Sequence, residues 1–267
     1  MQILSVANQK GGVAKTTTAL SLATSLAQQG FRVLAVDMDP QENLSAGFGV
    51  ELEDGDLSLF EVLARKAKLA DAVVPVELPG IDALSVLPAG PRLAQAEAEL
   101  LGQVGFDELL KFKLAQVADA YDYVVLDCPP SLGALTINAL GASQLVVVPV
   151  QCEFFSARGV AKLMEVVELV QERRNPTLQV RLVPTLFDKR NKISKVVLSE
   201  LVDAFGARVS KIAVGVDTRV REAQVHGLPV SIYAPRSRAS LAYEALACEV
   251  HRTLQTQLEG RAHGQAA

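Results

Sequence analysis

Lys10, Lys15, Thr16 and Thr17 flank the glycine pair Gly11–Gly12 in the stretch NQKGGVAKTTT, residues 8–18. This is phosphate chemistry. Glycines let the backbone come close to an anion, converging N–H groups cradle it, and a helix opening at Lys15 adds partial positive charge. In such a loop Gly11, Gly12, Val13 and Ala14 bring their backbone to the phosphates, and Thr17 lies in the helix's first turn. Lys15 reaches the β- and γ-phosphate oxygens, and the Thr16 hydroxyl takes Mg²⁺. The segment predicts a site for a nucleoside triphosphate. The pattern G-x-x-x-x-G-K-[ST] is not met, because Gln9 and Ala14 stand where glycines would. The methyl group of Ala14 demands a strained backbone or crowds the phosphates.

Two acidic segments complete the set. VLAVDMDPQEN ends an apolar run with Asp37 and Asp39, two apart and so on one face of a strand. Asp39, followed by Pro40, either orients an attacking water and holds the metal's water shell, or merely starts a turn. YDYVVLDCPPS ends a β-rich run at Asp127, and two prolines stop the strand. That is the setting of a carboxylate that binds Mg²⁺ through water. Cys128 beside it is redox-active, metal-binding or a small buried hydrophobe.

The elements that must position these groups alternate along the chain. Strands are expected at Gln2–Ala7, Arg32–Asp37, Ala83–Pro88, Tyr123–Asp127, Gln144–Pro149 and Val180–Leu186. Helices are expected at Lys15–Gln29, Asp107–Ala120, Leu132–Leu140, Ala157–Arg173, Lys195–Ala204 and Ser240–Gln257, with a short piece near Leu59–Lys68. The pattern predicts an α/β fold: a three-layer sandwich with a mostly parallel sheet flanked by helices, its ligand at the carboxyl ends of the strands. Gly47–Gly80 is read as an insertion. Residues 1–258 form a single domain, and the tail 259–267 is expected to be disordered.

Composition bounds the function. The 267 residues are 49% hydrophobic, enough for a buried parallel sheet. Three scattered cysteines argue against a disulfide framework and fit a reducing cytoplasm. No apolar run approaches the roughly 18 residues of a membrane span, and the start lacks a basic leader, so a cytoplasmic protein is expected. Net charge is −4, which speaks against a wholly nucleic-acid-binding surface. Residues 186–240 nevertheless hold ten Lys and Arg against five acids, net +5, leaving −9 for the rest. Such asymmetry marks either a partner-facing surface or a solvated face.

Taken together, NQKGGVAKTT, VDMDPQ, VVLDCPPSLGALTINAL, VVPVQCEFFSARGV, TLFDKRNKIS and REAQVHGLPV followed by YAPRSRAS resemble the ParA/Soj-type chromosome and plasmid partition ATPases. That family belongs to the deviant Walker A class of P-loop NTPases, which also contains MinD. The matching stretches follow family order from residue 6 to about 240. The resemblance implies a weak, partner-stimulated ATPase using ATP and Mg²⁺. Two protomers sandwich two ATP molecules, and Lys10 crosses to the partner's triphosphate like an arginine finger, with Gly11 at the interface. Lys10, Lys15 and Asp39 are then catalytic, Thr16, Asp39 and Asp127 serve the metal, and Asp127–Gly133 is the switch that senses the γ-phosphate. The homodimer binds DNA without sequence preference through Arg190 and Arg219, with Lys189, Lys192 and Arg221 as further candidates. A ParB-like centromere-binding protein stimulates hydrolysis and release, and the protein is nucleoid-associated in the cytoplasm.

Three positions depart from the family: Ala14 and Glu42, where it usually has glycine, and Val216, where many relatives carry arginine. One alternative is a MinD-like membrane-associated ATPase that positions the division site. It requires an amphipathic C-terminal helix with bulky apolar residues, whereas the end reads HRTLQTQLEGRAHGQAA. Another is a metabolic enzyme on the same scaffold.

Overall fold

A computed structural model describes residues 1–100, 105–153 and 156–264. The two phenylalanines of VVPVQCEFFSARGV and the last three tail residues lie outside the described residues. Seven strands form one sheet: β1 (Gln2–Val6), β2 (Val33–Asp37), β3 (Val74–Pro75), β4 (Leu84–Leu87), β5 (Tyr123–Asp127), β6 (Leu145–Gln151) and β7 (Gln179–Thr185). Their order is β3-β4-β2-β5-β1-β6-β7, and every pairing is parallel except β3 with β4. β1, β2 and β5 are buried along their whole length, which is why QILSV, VLAVD and YVVLD read as nearly continuous apolar runs.

The helices are α1 (Lys15–Gln28), α2 (Asn43–Gly47), α3 (Leu59–Leu63), α4 (Leu93–Leu100), α5 (Leu109–Ala115), α6 (Ala134–Ala142), α7 (Ser156–Arg173), α8 (Lys192–Phe205), α9 (Thr218–Val225), α10 (Val230–Tyr233) and α11 (Arg238–Gly264). Alternate strand residues face opposite ways and so build two cores. Leu34, Val36, Val124, Leu126, Val146 and Val148 pack with α3–α8. Val33, Ala35, Tyr123, Val125, Leu145 and Val147 pack with α1, α2 and α9–α11. The result is the three-layer sandwich expected from the alternation of strands and helices.

Several local expectations need correction. The helix expected over Asp107–Ala120 is a 3₁₀ turn, Phe106–Glu108, followed by the shorter α5. The piece near Leu59–Lys68 stops at Leu63, two residues before Arg65 turns left-handed at φ 60°. Ser58 and Glu61 fix its start as a capping box. Within 47–80, Leu59, Phe60, Leu63 and Leu69 join the same core as the sheet. α11 runs from Arg238 to Gly264.

Candidate nucleotide site and basic surface

Strand register assembles the acidic half of the site. β5 lies between β1 and β2, so Asp127 pairs with Val6 on one side and Asp37 on the other. Two carboxylates therefore end adjacent strands just where the chain leaves β1 for the phosphate loop. Both are fully buried. Asp37 is held: Ser45 donates its N–H (2.9 Å) and hydroxyl (2.8 Å) to Oδ2, and the Asp39 N–H donates to Oδ1 (3.2 Å). Burial pushes its carboxyl up to about 6, against the pull of those hydrogen bonds. Asp127 differs: no hydrogen bond of ordinary geometry holds either of its oxygens, although the Thr16 hydroxyl bears on it. Burial, with Asp37 alongside, raises its carboxyl well above the ordinary range, while Thr16 and Lys15 oppose the rise.

The loop supplies the cationic half. Lys15 is only 8% exposed, and its Nζ donates to the Lys10 carbonyl at 3.3 Å. Burial lowers its pKa, and the charges of Asp127 and Asp39 hold it up. Side chains pin both limbs of the loop. Buried Asn8 donates to Pro149 O (2.7 Å) and accepts from the Lys10 N–H (3.0 Å), and Thr185 donates its hydroxyl to Val13 O (3.0 Å). Lys10 turns its ammonium to the end of β6, donating to Gln151 Oε1 (3.1 Å) and pairing with Glu153 (3.6 Å).

Of the two loop glycines, only Gly12 takes a positive φ, 74°. A Cβ built on Gly11 meets nothing within 4 Å of its own chain, so no contact inside one chain requires glycine there. Ala14 caps α1 at φ 69°, ψ 36°. Its backbone therefore has left-handed strain. Glu42 does the same at φ 57°, capping α2. Both departures from the family's glycine thus fall on left-handed residues. That conformation costs a residue with a Cβ about 1–2 kcal/mol, partly offset because glycine loses more entropy on folding. Ala14→Gly is expected to raise stability by about 1 kcal/mol or slightly less, read as a higher urea midpoint with an unchanged slope.

Asp39 starts the turn that follows β2. Its Oδ1 accepts the Gln41 N–H at 3.0 Å, closing the turn, yet its charge is felt by Lys15 and Asp127. Cys128 is 1% exposed, and burial pushes its thiol far up, so it behaves as a small inert hydrophobe. All three cysteines are free.

Among the described residues no three His, Cys, Asp or Glu side chains cluster as a metal cage. Mg²⁺ does not need one, since it keeps waters and takes phosphate oxygens. A buried carboxylate that no hydrogen bond of ordinary geometry holds, a hydroxyl in the first turn of α1 and an adjacent lysine fit a Mg²⁺–triphosphate. When bound, such an ion would neutralise charge on the phosphates.

The basic candidates lie on a second surface. Lys189 and Arg190 are exposed in the turn after β7, Lys192 opens α8, and Arg219 and Arg221 project from α9. Lys189, Arg190 and Arg238 line a crevice of 620 Å³ with Phe187, Val216 and Leu241. Arg219, Arg236 and Arg238 line a second, of 790 Å³. Arg238 belongs to both and joins them. Its guanidinium donates to the Val216 carbonyl at 3.4 Å, so it stands beside the position where relatives carry arginine. Sequence reading counted Arg238 among the basic residues but did not assign it to the site.

A family model described as an AAA domain matches residues 1–180. The Bacillus subtilis sporulation initiation inhibitor protein Soj is 41% identical over 250 residues, 93% of this chain and 98% of that protein. The Caulobacter vibrioides chromosome partitioning protein ParA is 41% identical over 257 residues, 94% of each chain. The chain belongs to the ParA/Soj family of partitioning ATPases. Among solved structures, a cobyrinic acid a,c-diamide synthase from Mycobacterium smegmatis with bound ADP and magnesium superposes with a TM-score of 0.82. It is 36% identical to this chain, and the match covers 94% of both. The ParA/Soj assignment accounts for the deviant loop, in which Lys10 precedes Gly11–Gly12. No helix of the described residues is long and apolar enough to cross a membrane.

Proposed function

We propose that this chain is a DNA-segregation switch. It binds ATP with Mg²⁺, pairs with a second copy through Lys10, holds DNA without sequence preference, and lets go when a ParB-like partner stimulates hydrolysis. The nucleoid is then its site of action. The observation that carries this reading is the shared Arg238, which makes one cationic surface of residues from the β7–α8 turn, α9 and α11. In a twofold dimer that surface is doubled, and its hold on DNA falls steeply with salt.

The residues divide the labour. Lys15 and the N–H groups of the loop bind and orient the triphosphate, and Thr16 and Asp127 hold the metal and its water. Asp39, fixed by its turn, orients the attacking water. Lys10 now rests on Gln151 and Glu153. It exchanges those partners for the other protomer's phosphates, stabilising the charge of the transferring group.

Size-exclusion with light scattering tests the switch. Wild type and Asp39→Ala are both expected to be monomers with ADP. With ATP and Mg²⁺ the variant is expected to form a long-lived dimer, its turnover lowered about 100-fold or more. Monomers under every condition contradict the mechanism.

DNA affinity itself is restrained by an acid. Arg219 donates to Glu222 Oε2 at 2.6 Å, and the Tyr233 hydroxyl donates to the same oxygen at 3.2 Å. A phosphate must compete with that exposed pair, which by itself is weak. Glu222→Gln is expected to tighten plasmid binding about threefold and to steepen the slope of log K against log salt by up to about one. Filter binding across a salt series measures both.

A further inference from the structure

α9 carries Arg219 and Arg221; Ala223 seats it in the core, and three further contacts tie it to its neighbours. Asp217 caps it, accepting from the Arg219 N–H (3.1 Å) with one oxygen and from the Ala239 N–H (3.2 Å) with the other, which fixes the helix to the start of α11. At its far end the turn at Gly227, φ 60°, lies against the end of α2 and the residues after it. A Cβ built there lies 3.6 Å from Ala46 O and 3.8 Å from Gly49 Cα. Between the two, Gln224 donates its Nε2 to the Thr17 hydroxyl at 3.3 Å. Thr17 stands in the first turn of α1, immediately after Lys15 and Thr16.

A threonine hydroxyl has one proton and two lone pairs. The Thr17 oxygen accepts from Gln224, so its own proton remains for an acceptor, and at a helix N-terminus the acceptor of choice is a phosphate oxygen. We propose that Gln224 is a positioning residue that couples nucleotide loading at α1 to the placement of the basic helix α9. The proposal rests on the DNA-binding reading for its consequence, but the link itself is a property of α1 and α9.

The coupling needs no moving part. Once the hydroxyl proton is donated to phosphate, the Thr17 oxygen becomes a better acceptor, and the Gln224 bond strengthens with it. α9 is then held in one place, and Arg219 and Arg221 with it. Linkage makes the effect reciprocal: DNA that fixes α9 strengthens the grip of α1 on nucleotide by the same factor. The residue type fits the task. A glutamate here would set a charge against the triphosphate, and a lysine would seek the phosphates itself. An amide donates without either consequence. Gln224 is exposed, so truncating it leaves the core intact.

The test is Gln224→Ala in the full chain. Three quantities are measured: affinity for a fluorescent ATP analogue without DNA, plasmid affinity with and without ATP and Mg²⁺, and amide hydrogen exchange of residues 218–225 with and without nucleotide. Nucleotide affinity is expected to change less than about twofold, and nucleotide-free DNA affinity to be unchanged. The factor by which ATP tightens DNA binding is expected to fall about fivefold, as for the loss of one hydrogen bond. The protection of α9 by nucleotide disappears with it. A variant that keeps both the full ATP factor and the full protection overturns the coupling. If wild type binds no DNA in any state, the DNA-binding reading fails and hydrogen exchange alone decides the link. Nucleotide-dependent protection of α9 that is present in wild type and lost in the variant sustains it. Equal protection in both overturns it.

Discussion

Lys15→Ala is expected to weaken ATP binding about 100-fold, measured by calorimetry or by displacement of a fluorescent analogue. Two effects add. The first is loss of charge-assisted hydrogen bonds to the phosphates, each worth about 1.5–3 kcal/mol. The second belongs to the site itself. Lys15 is 8% exposed, and its charge opposes the rise in the Asp127 carboxyl pKa. Without it, one positive charge fewer faces buried Asp127 and the incoming triphosphate. A variant that binds ATP as tightly as wild type would show that the loop is not the phosphate site.

Lys10→Ala is expected to separate binding from turnover. ATP affinity of the single chain should change only a few-fold, because the Lys10 ammonium rests on Gln151 and Glu153. Hydrolysis in the presence of DNA and partner should fall about 1,000-fold, the lower end of what a residue supplied in trans contributes to phosphoryl transfer. The contrast between the two lysines is the informative result. They lie five residues apart in one loop, Lys15 near Asp127 and Asp39 and Lys10 on Gln151 and Glu153. If Lys10→Ala weakened ATP binding as much as Lys15→Ala, Lys10 would act in its own chain and not across a dimer.

Much of the sheet was legible because a strand buried on both faces must be an unbroken apolar run, and such runs end at Asp37 and Asp127. The elements that were missed lack that signal. α9, TRVREAQV, buries only Ala223 and shows no apolar stripe. α2 is five residues long, and Ser45 anchors it to a buried Asp37, a contact that exists only once β2 is in place. β3 contains Pro75 and pairs antiparallel at the edge of the sheet, where a residue without an N–H is tolerated. The cysteine next to Asp127 offered three readings to sequence, and complete burial leaves one.

Residue type and order alone determined the glycine loop that opens α1 and the two strand-end acids, because each follows from local covalent geometry, glycine spacing and strand periodicity; they left two readings of Ala14, and its left-handed backbone is seen in the fold. Only the tertiary structure decided that Asp37 and Asp127 are neighbours, that Arg238 joins two basic patches, and that Gln224 reaches Thr17. Those are meetings of residues far apart in the chain. They are set by sheet order and helix packing, which depend on burying two core layers at once and leave no trace in any short window of sequence.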